Sequence, residues 1–299
     1  MRSNAAMVDC GHAIRRPHLG HRFAFGLVSL ACRLPSPPIV QPVEAMGLVF
    51  SSPLGIAAGF DRFGQLGRRV AALGFGFSEI GSLTAADLPR LAISRQGTAL
   101  LGINLTLDSC QSTAQTCALL QGAWPWADYL VLNLIGPLCA PLLEQPERLQ
   151  ARLAALRDHH RHLSRAYERP VPLVAKLRCL PGELPLALVD RLQALGVDGL
   201  LLAHDPGPPA TRQRYLAWQD DRAQALACEQ IAELRRFCGP ETVLMSVGGI
   251  QTAAHLLARR AAGAQLVQVH AALQHQGPWV ARRLLAGDAD AALRLSGRC

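Results

Sequence analysis

The chain has 299 residues, of which 50% are hydrophobic and 17% charged, with a formal net charge of +8. Length and apolar content exclude a disordered segment and a disulfide-stapled mini-domain. The basic charge does not make a nucleic-acid surface, because the arginines are spread along helical segments and no dense basic run is interleaved with aromatics. Nine cysteines at irregular spacing, none in a C-x-x-C pair, point to reduced thiols in a cytoplasmic protein and away from a zinc site. Of the 30 basic residues 29 are Arg, so Lys176 stands alone, and Asn occurs only at positions 4, 104 and 133. Where arginine replaces lysine so widely, the surviving lysine marks a place that needs a compact ammonium.

The stretch His18 to Arg33 mixes apolar and basic residues, and its apolar part, Phe23 to Cys32, is too short to cross a bilayer. It reads as a helix packed on the body of the protein or lying on a membrane surface. No A-x-A-like cleavage site follows it. Residues 1–45 are expected to form an extension to one domain over 46–299.

From residue 54 on, short apolar runs alternate with amphipathic stretches. The runs are Leu54–Phe60, Phe77–Leu83, Leu100–Leu105, Tyr129–Ile135, Val171–Leu177, Gly199–His204, Val243–Gly248 and Leu266–Ala271. The intervening helices are expected over Gln65–Leu73, Gln111–Leu120, Gln145–Tyr167, Leu184–Leu195, Asp221–Phe237, Thr252–Ala262 and Pro278–Ala286, with no clear helix after the second run. Runs that are apolar throughout suit strands covered on both faces, as in a parallel sheet. Eight such units predict a (β/α)8 TIM barrel with a short N-terminal helical extension. An open doubly wound sheet is the alternative, and the G-x-G-x-x-G turn that would favour it is absent.

Barrel chemistry sits at the C-terminal ends of the strands. Asn104, Asn133 and Lys176 fall near the ends of runs three, four and five. Amides there can address the polar edge of a heterocycle, and an ammonium can stabilise negative charge developing on it. The Gly248-Gly249 pair ends run seven with bare backbone N–H groups suited to a phosphate. Together these predict a mononucleotide site. His159, His160 and His162 on the long fourth helix read as a solvated face, and no metal site is expected.

The segments MGLVFSSPLGIAAGFDRFG (46–64), LGFGFSEIGSLT (73–84), GIN (102–104), LN (132–133), VPLVAKL (171–177), VGGI (247–250) and GAQLVQVHAAL (263–273) resemble, in order and spacing, the dihydroorotate dehydrogenases of the quinone-using, membrane-associated class. These are FMN-dependent barrels that oxidise dihydroorotate to orotate in pyrimidine biosynthesis. The resemblance implies FMN contacts at Ala57, Ala58, Gly59, Ser82, Asn104, Asn133, Lys176, Gly248 and Gly249, and at the backbone of His270 and Ala271. It also implies quinone as a partner and peripheral contact with the inner face of the cytoplasmic membrane through residues 18–33.

The catalytic part of the pattern is broken. After the strand-four Asn the family reads N-x-S-S-P-N-T, its second Ser being the base; this chain has Gly136 there, and Cys139 three positions on is a substitute base. The substrate-facing Lys after strand one is Arg62, the strand-six T-N-T is Ala203-His204-Asp205, the Asn-rich segment between strands two and three is missing, and Tyr215–Asp221 replaces the G-G-x-S-G loop. The expected protein is therefore an FMN flavoprotein and oxidoreductase that has left dihydroorotate for another small molecule. In it Lys176 stabilises reduced flavin, His204 is the acid/base, and Arg62, Asn133 and His204 bind substrate. Asp205 lies next to His204 but faces the other way on a strand. Two alternatives are a non-catalytic accessory or binding paralogue and an ordinary dihydroorotate dehydrogenase with a relocated base.

Overall fold

The apolar runs become eight parallel strands that close on themselves. A computed structural model describes residues 19–34, 41–204 and 211–286. Helix α1 (Leu19–Ala31) comes first, then an antiparallel hairpin of β1 (Val43–Ala45) and β2 (Leu48–Phe50). The barrel strands are β3 (Leu54–Ile56), β4 (Phe77–Leu83), β5 (Leu100–Thr106), β6 (Tyr129–Asn133), β7 (Leu173–Arg178), β8 (Gly199–Ala203), β9 (Val243–Val247) and β10 (Leu266–Val269). Each pairs with its sequence neighbours, and β10 closes on β3 with Val267 opposite Leu54. This is a (β/α)8 barrel.

The helices are α2 (Thr113–Ala123), α3 (Ala140–Leu143), α4 (Pro146–Ala166), α5 (Leu186–Ala194), α6 (Arg212–Ala217), α7 (Asp221–Cys238), α8 (Ala253–Ala261) and α9 (Ala271–Gln276), with 280–286 also helical. Their ends follow local chemistry. Ser112 and Gln115 close a reciprocal capping box on α2, Asp220 caps α7, and Gly239, at a positive φ of 73°, ends it. After β4 a 3-10 segment, Ala85–Arg90, replaces the helix that the sequence did not show, and Gly67–Leu73 is 3-10 as well.

Two apolar layers explain the continuous runs. Outside, strands and helices share the main core. Inside, Phe77, Tyr129, Val131, Val174, Leu201 and Met245 pack around Phe50, which the hairpin inserts into the N-terminal end of the barrel. Glycines make the room: a Cβ on Gly55 would lie 2.3 Å from the Phe77 ring, and one on Gly102 2.3 Å from Tyr129. The hairpin thus plugs one end and leaves the chemistry to the other. The predicted histidine face is corrected at one position: His160 is buried, its Nε2 bonded to the Val171 carbonyl at 2.6 Å and its ring against Trp124. A histidine with a backbone partner packs where a solvated one would not.

Candidate active site at the barrel mouth

Polar groups gather at the strand ends in two layers. The deeper layer is a bridge inside the barrel: Glu79 of β4 accepts from Asn104 Nδ2 at 2.6 Å with one carboxylate oxygen and from Gln268 Nε2 at 2.5 Å with the other. All three are fully buried. Because the Asn104 amide N–H is spent on Glu79, its Oδ1 is left as a buried acceptor without a partner. Such a bare acceptor calls for an N–H from a ligand. Glu79→Ala is expected to strand both amides and cost about 2–5 kcal/mol, read as a fall in the urea midpoint.

The upper layer holds Asn133 and Lys176, opposite one another in the β6–β7 ladder. Asn133 donates to Ser82 Oγ at 2.7 Å and accepts from the Ile135 amide at 3.1 Å, which fixes its plane. Lys176 is 8% exposed, and among the described residues no carboxylate forms an ion pair with it. An ammonium so placed favours an electron-rich or anionic neighbour. At the end of β3 the chain turns through Ala57–Gly59, held by the Ala57 amide on Val269 O and the Gly59 amide on Gly81 O. The His270 ring lies over this turn, edge-on to Phe60, and His21 of α1 packs beside both.

Two histidines near the strand ends, His270 at the mouth and His204 beside α7, are neutral. Burial, helped by the charges of His21 and Lys176, lowers His270 to about 4. Burial and then the Arg259 charge lower His204 to about 3. Gln230 donates through Nε2 to Leu180 O, so its Oε1 faces His204 Nδ1 at 3.0 Å; Nδ1 carries the proton and Nε2 is a bare buried acceptor. Asp205 lies outside the described residues. Both imidazoles take up protons more readily in the unfolded chain, so stability is complete above about pH 6.5 and falls as pH drops towards 4. The expected slope is up to about 1.4 kcal/mol per pH unit for each imidazole, and His270→Phe should flatten it in denaturation series run from pH 7 to 4.5.

The remaining predicted residues scatter. Cys139 is wholly buried in the main core just before α3, and burial pushes its thiol up to about 11. Arg62 is engaged by Asp87 at 2.9 Å. Position 136 does face the site, since a Cβ there would lie 4.0 Å from Asn133 Nδ2. The Gly248-Gly249 turn follows β9, but Trp218, the residue that ends α6, lies over it. Sequence reasoning passed over Glu79, Gln268 and Trp218. A charged residue amid the apolar run FSEIGSL was the one available signal for Glu79.

Comparison with known proteins gives this arrangement a family. The family model described as dihydroorotate dehydrogenase matches residues 221–288. The dihydroorotate dehydrogenase (quinone) of Alkalilimnicola ehrlichii is 30% identical, over 87% of this chain and 89% of that protein. The chain belongs to the dihydroorotate dehydrogenase family. A second family member, the dihydroorotate dehydrogenase (quinone) of Leifsonia xyli subsp. xyli, is also 30% identical, over 91% of this chain and 94% of its own. Among solved structures, DHODH from Eimeria tenella in complex with ferulenol superposes with a TM-score of 0.71 at 20% identity, covering 94% of this chain and 93% of that one. That likeness concerns the barrel. Family membership and the barrel agree with the family resemblance and the fold read from the sequence.

Proposed function

We propose that this family member binds the ring of FMN at the barrel mouth, works as an oxidoreductase on a small molecule, and has left efficient oxidation of dihydroorotate. The observation that carries the reading is position 136: it stands beside Asn133 at the mouth and bears no side chain to act as a base. The ring end of the cofactor fits the residues present. Asn104 Oδ1 is a buried acceptor in need of a donor, Lys176 is a cation without an acid among the described residues, and Ala57 to Gly59 present backbone and little side chain. When bound, FMN supplies the hydride acceptor. Lys176 would hold negative charge on the ring, Asn104 and Asn133 would orient its polar edge, and His204 Nε2 would serve a substrate group only from its place beside α7.

The second reading, a non-catalytic binding protein, is favoured by the covered Gly248-Gly249 turn. An ordinary dihydroorotate dehydrogenase with Cys139 as base is disfavoured by the buried thiol. The outward face of α1 supports peripheral membrane contact and delivery of electrons to quinone, the acceptor in the names of the relatives. Among the described residues no helix is long and apolar enough to cross a membrane.

Titration of apo-protein with flavin, followed by the visible spectrum and flavin fluorescence, tests the reading. Saturable binding with a perturbed spectrum is expected, weakened about tenfold or more by Lys176→Met. No saturable binding of either riboflavin or FMN would overturn it and favour the accessory reading.

A further inference from the structure

The Gly248-Gly249 turn carries a cover. Both glycines have positive φ, 108° and 78°; the Gly248 amide ends the ladder to β10 opposite Gln268, and the Gly249 amide donates to no backbone carbonyl among the described residues. A Cβ on Gly249 would lie 2.1 Å from Trp218 Cε3 and 2.4 Å from Cδ2, so the six-membered ring of the indole rests directly on the turn. One side chain clamps both parts: Gln224 Nε2 donates to Trp218 O and to Gly249 O, each at 2.8 Å. The helix leading into Trp218 is tied down as well, since Gln276 donates to Tyr215 Oη at 2.7 Å and the Tyr215 and His275 rings lie 4.6 Å apart.

Behind the indole sits a cation. Arg259 of α8 is 0% exposed and holds its guanidinium 5.7 Å from the Trp218 ring centre. It donates to Gln224 Oε1 at 3.0 Å and to Ser246 Oγ at 3.4 Å, and its Nε has no partner. Among the described residues no carboxylate pairs with it. A buried guanidinium without an acid is satisfied in part by the indole face and fully only by an anion.

We propose that Trp218 is a stopper on the Gly248-Gly249 turn, and that a phosphorylated ligand seats its phosphate there only when the indole swings away and leaves Arg259 to pair with the anion. The closed state is held by the indole on the guanidinium, the open state by phosphate on the same guanidinium and on the Gly249 amide. This deepens the flavin reading and rests on it. The chain discriminates poorly between riboflavin and FMN, because the phosphate gains only what displacing Trp218 leaves over.

The test is parallel titration with riboflavin and FMN of the wild-type chain, Trp218→Ala, Gln224→Leu and Trp218→Ala/Arg259→Met, with circular dichroism as the folding control. In wild type the two flavins should bind within about threefold of each other. Trp218→Ala should tighten FMN about tenfold or more with riboflavin little changed, and adding Arg259→Met should remove that gain. Gln224→Leu, which frees the clamp and keeps the indole, should shift FMN in the same direction by a smaller factor and decides the matter if the Ala variant does not fold. Riboflavin and FMN both bound with wild-type affinities in the variants would overturn the stopper and leave the flavin reading standing. Binding of neither flavin to the folded wild-type chain or to its folded variants would overturn both.

Discussion

Turnover of dihydroorotate by the FMN-loaded chain, measured by reduction of a quinone-coupled dye, is expected to be at least about a thousandfold below that of a family member with its base in place. Dehydrogenation across a carbon–carbon bond takes a hydride from one carbon and a proton from its neighbour, and the proton needs a positioned base. Position 136 has no side chain to offer. Cys139 lies in the core with its thiol pushed up to about 11, so at neutral pH about one molecule in ten thousand carries the thiolate. His204, held near 3, accepts a hydrogen bond but holds a proton poorly. Arg62, at the place of the substrate-facing lysine, is committed to Asp87. Base loss alone accounts for about 10²–10⁴-fold, and the missing polar contacts to substrate add to it. Gly136→Ser should therefore recover no more than about tenfold. Full recovery by that single change would show that the rest of the substrate site is intact.

The second large effect concerns α1. Its inward face is buried through Ala24, Val28 and Ala31. Its other face exposes Leu19, Phe23 (71%), Leu27 and Leu30 (60%), flanked by the exposed Arg22 and Arg33. Apolar residues at this spacing, flanked by cations, fit the headgroup region of an anionic bilayer. The full chain is expected to co-sediment with vesicles containing anionic lipid. Phe23→Glu with Leu30→Glu should weaken partitioning about a hundredfold or more, each side chain losing about 2 kcal/mol of apolar transfer. Both side chains point away from the body, so the thermal midpoint should stay within about two degrees of wild type. Unchanged sedimentation of the double variant would remove α1 from the account.

The barrel was legible because each strand is covered on both faces and so reads as an unbroken apolar run. Ends were less legible. The run Leu54–Phe60 stops pairing at Ile56, where the chain turns across the mouth through Gly59, and the hairpin Val43–Phe50 hides in a segment with too few residues to show a period. In the site, Asn104, Asn133 and Lys176 stood out by rarity, and the fold brings them to adjacent strands. Their supports did not stand out. Glu79 meets Asn104 across the neighbouring β4 and β5, whereas Gln268 is 189 residues from Glu79 and only closure of the barrel brings it to that carboxylate. Trp218 looked like any loop aromatic, because nothing local in Leu216–Asp220 says which turn it will cover. Cys139 was attractive as a nearby sulfur in the sequence; the short turn after Gly136 carries it inward, where its amide bonds back to the Gly136 carbonyl and its side chain joins the core.

On the proposed reading the ring end of the cofactor site is kept while the proton acceptor is lost. Anaerobic mixing of the FMN-loaded chain with excess dihydroorotate, followed as bleaching of the flavin, tests it most directly because no electron acceptor enters the measurement. The flavin is expected to stay oxidised over many minutes with dihydroorotate yet to bleach at once with dithionite. Rapid bleaching by dihydroorotate that disappears in Cys139→Ala would contradict it, showing that the base has moved and that the chain still performs the family reaction.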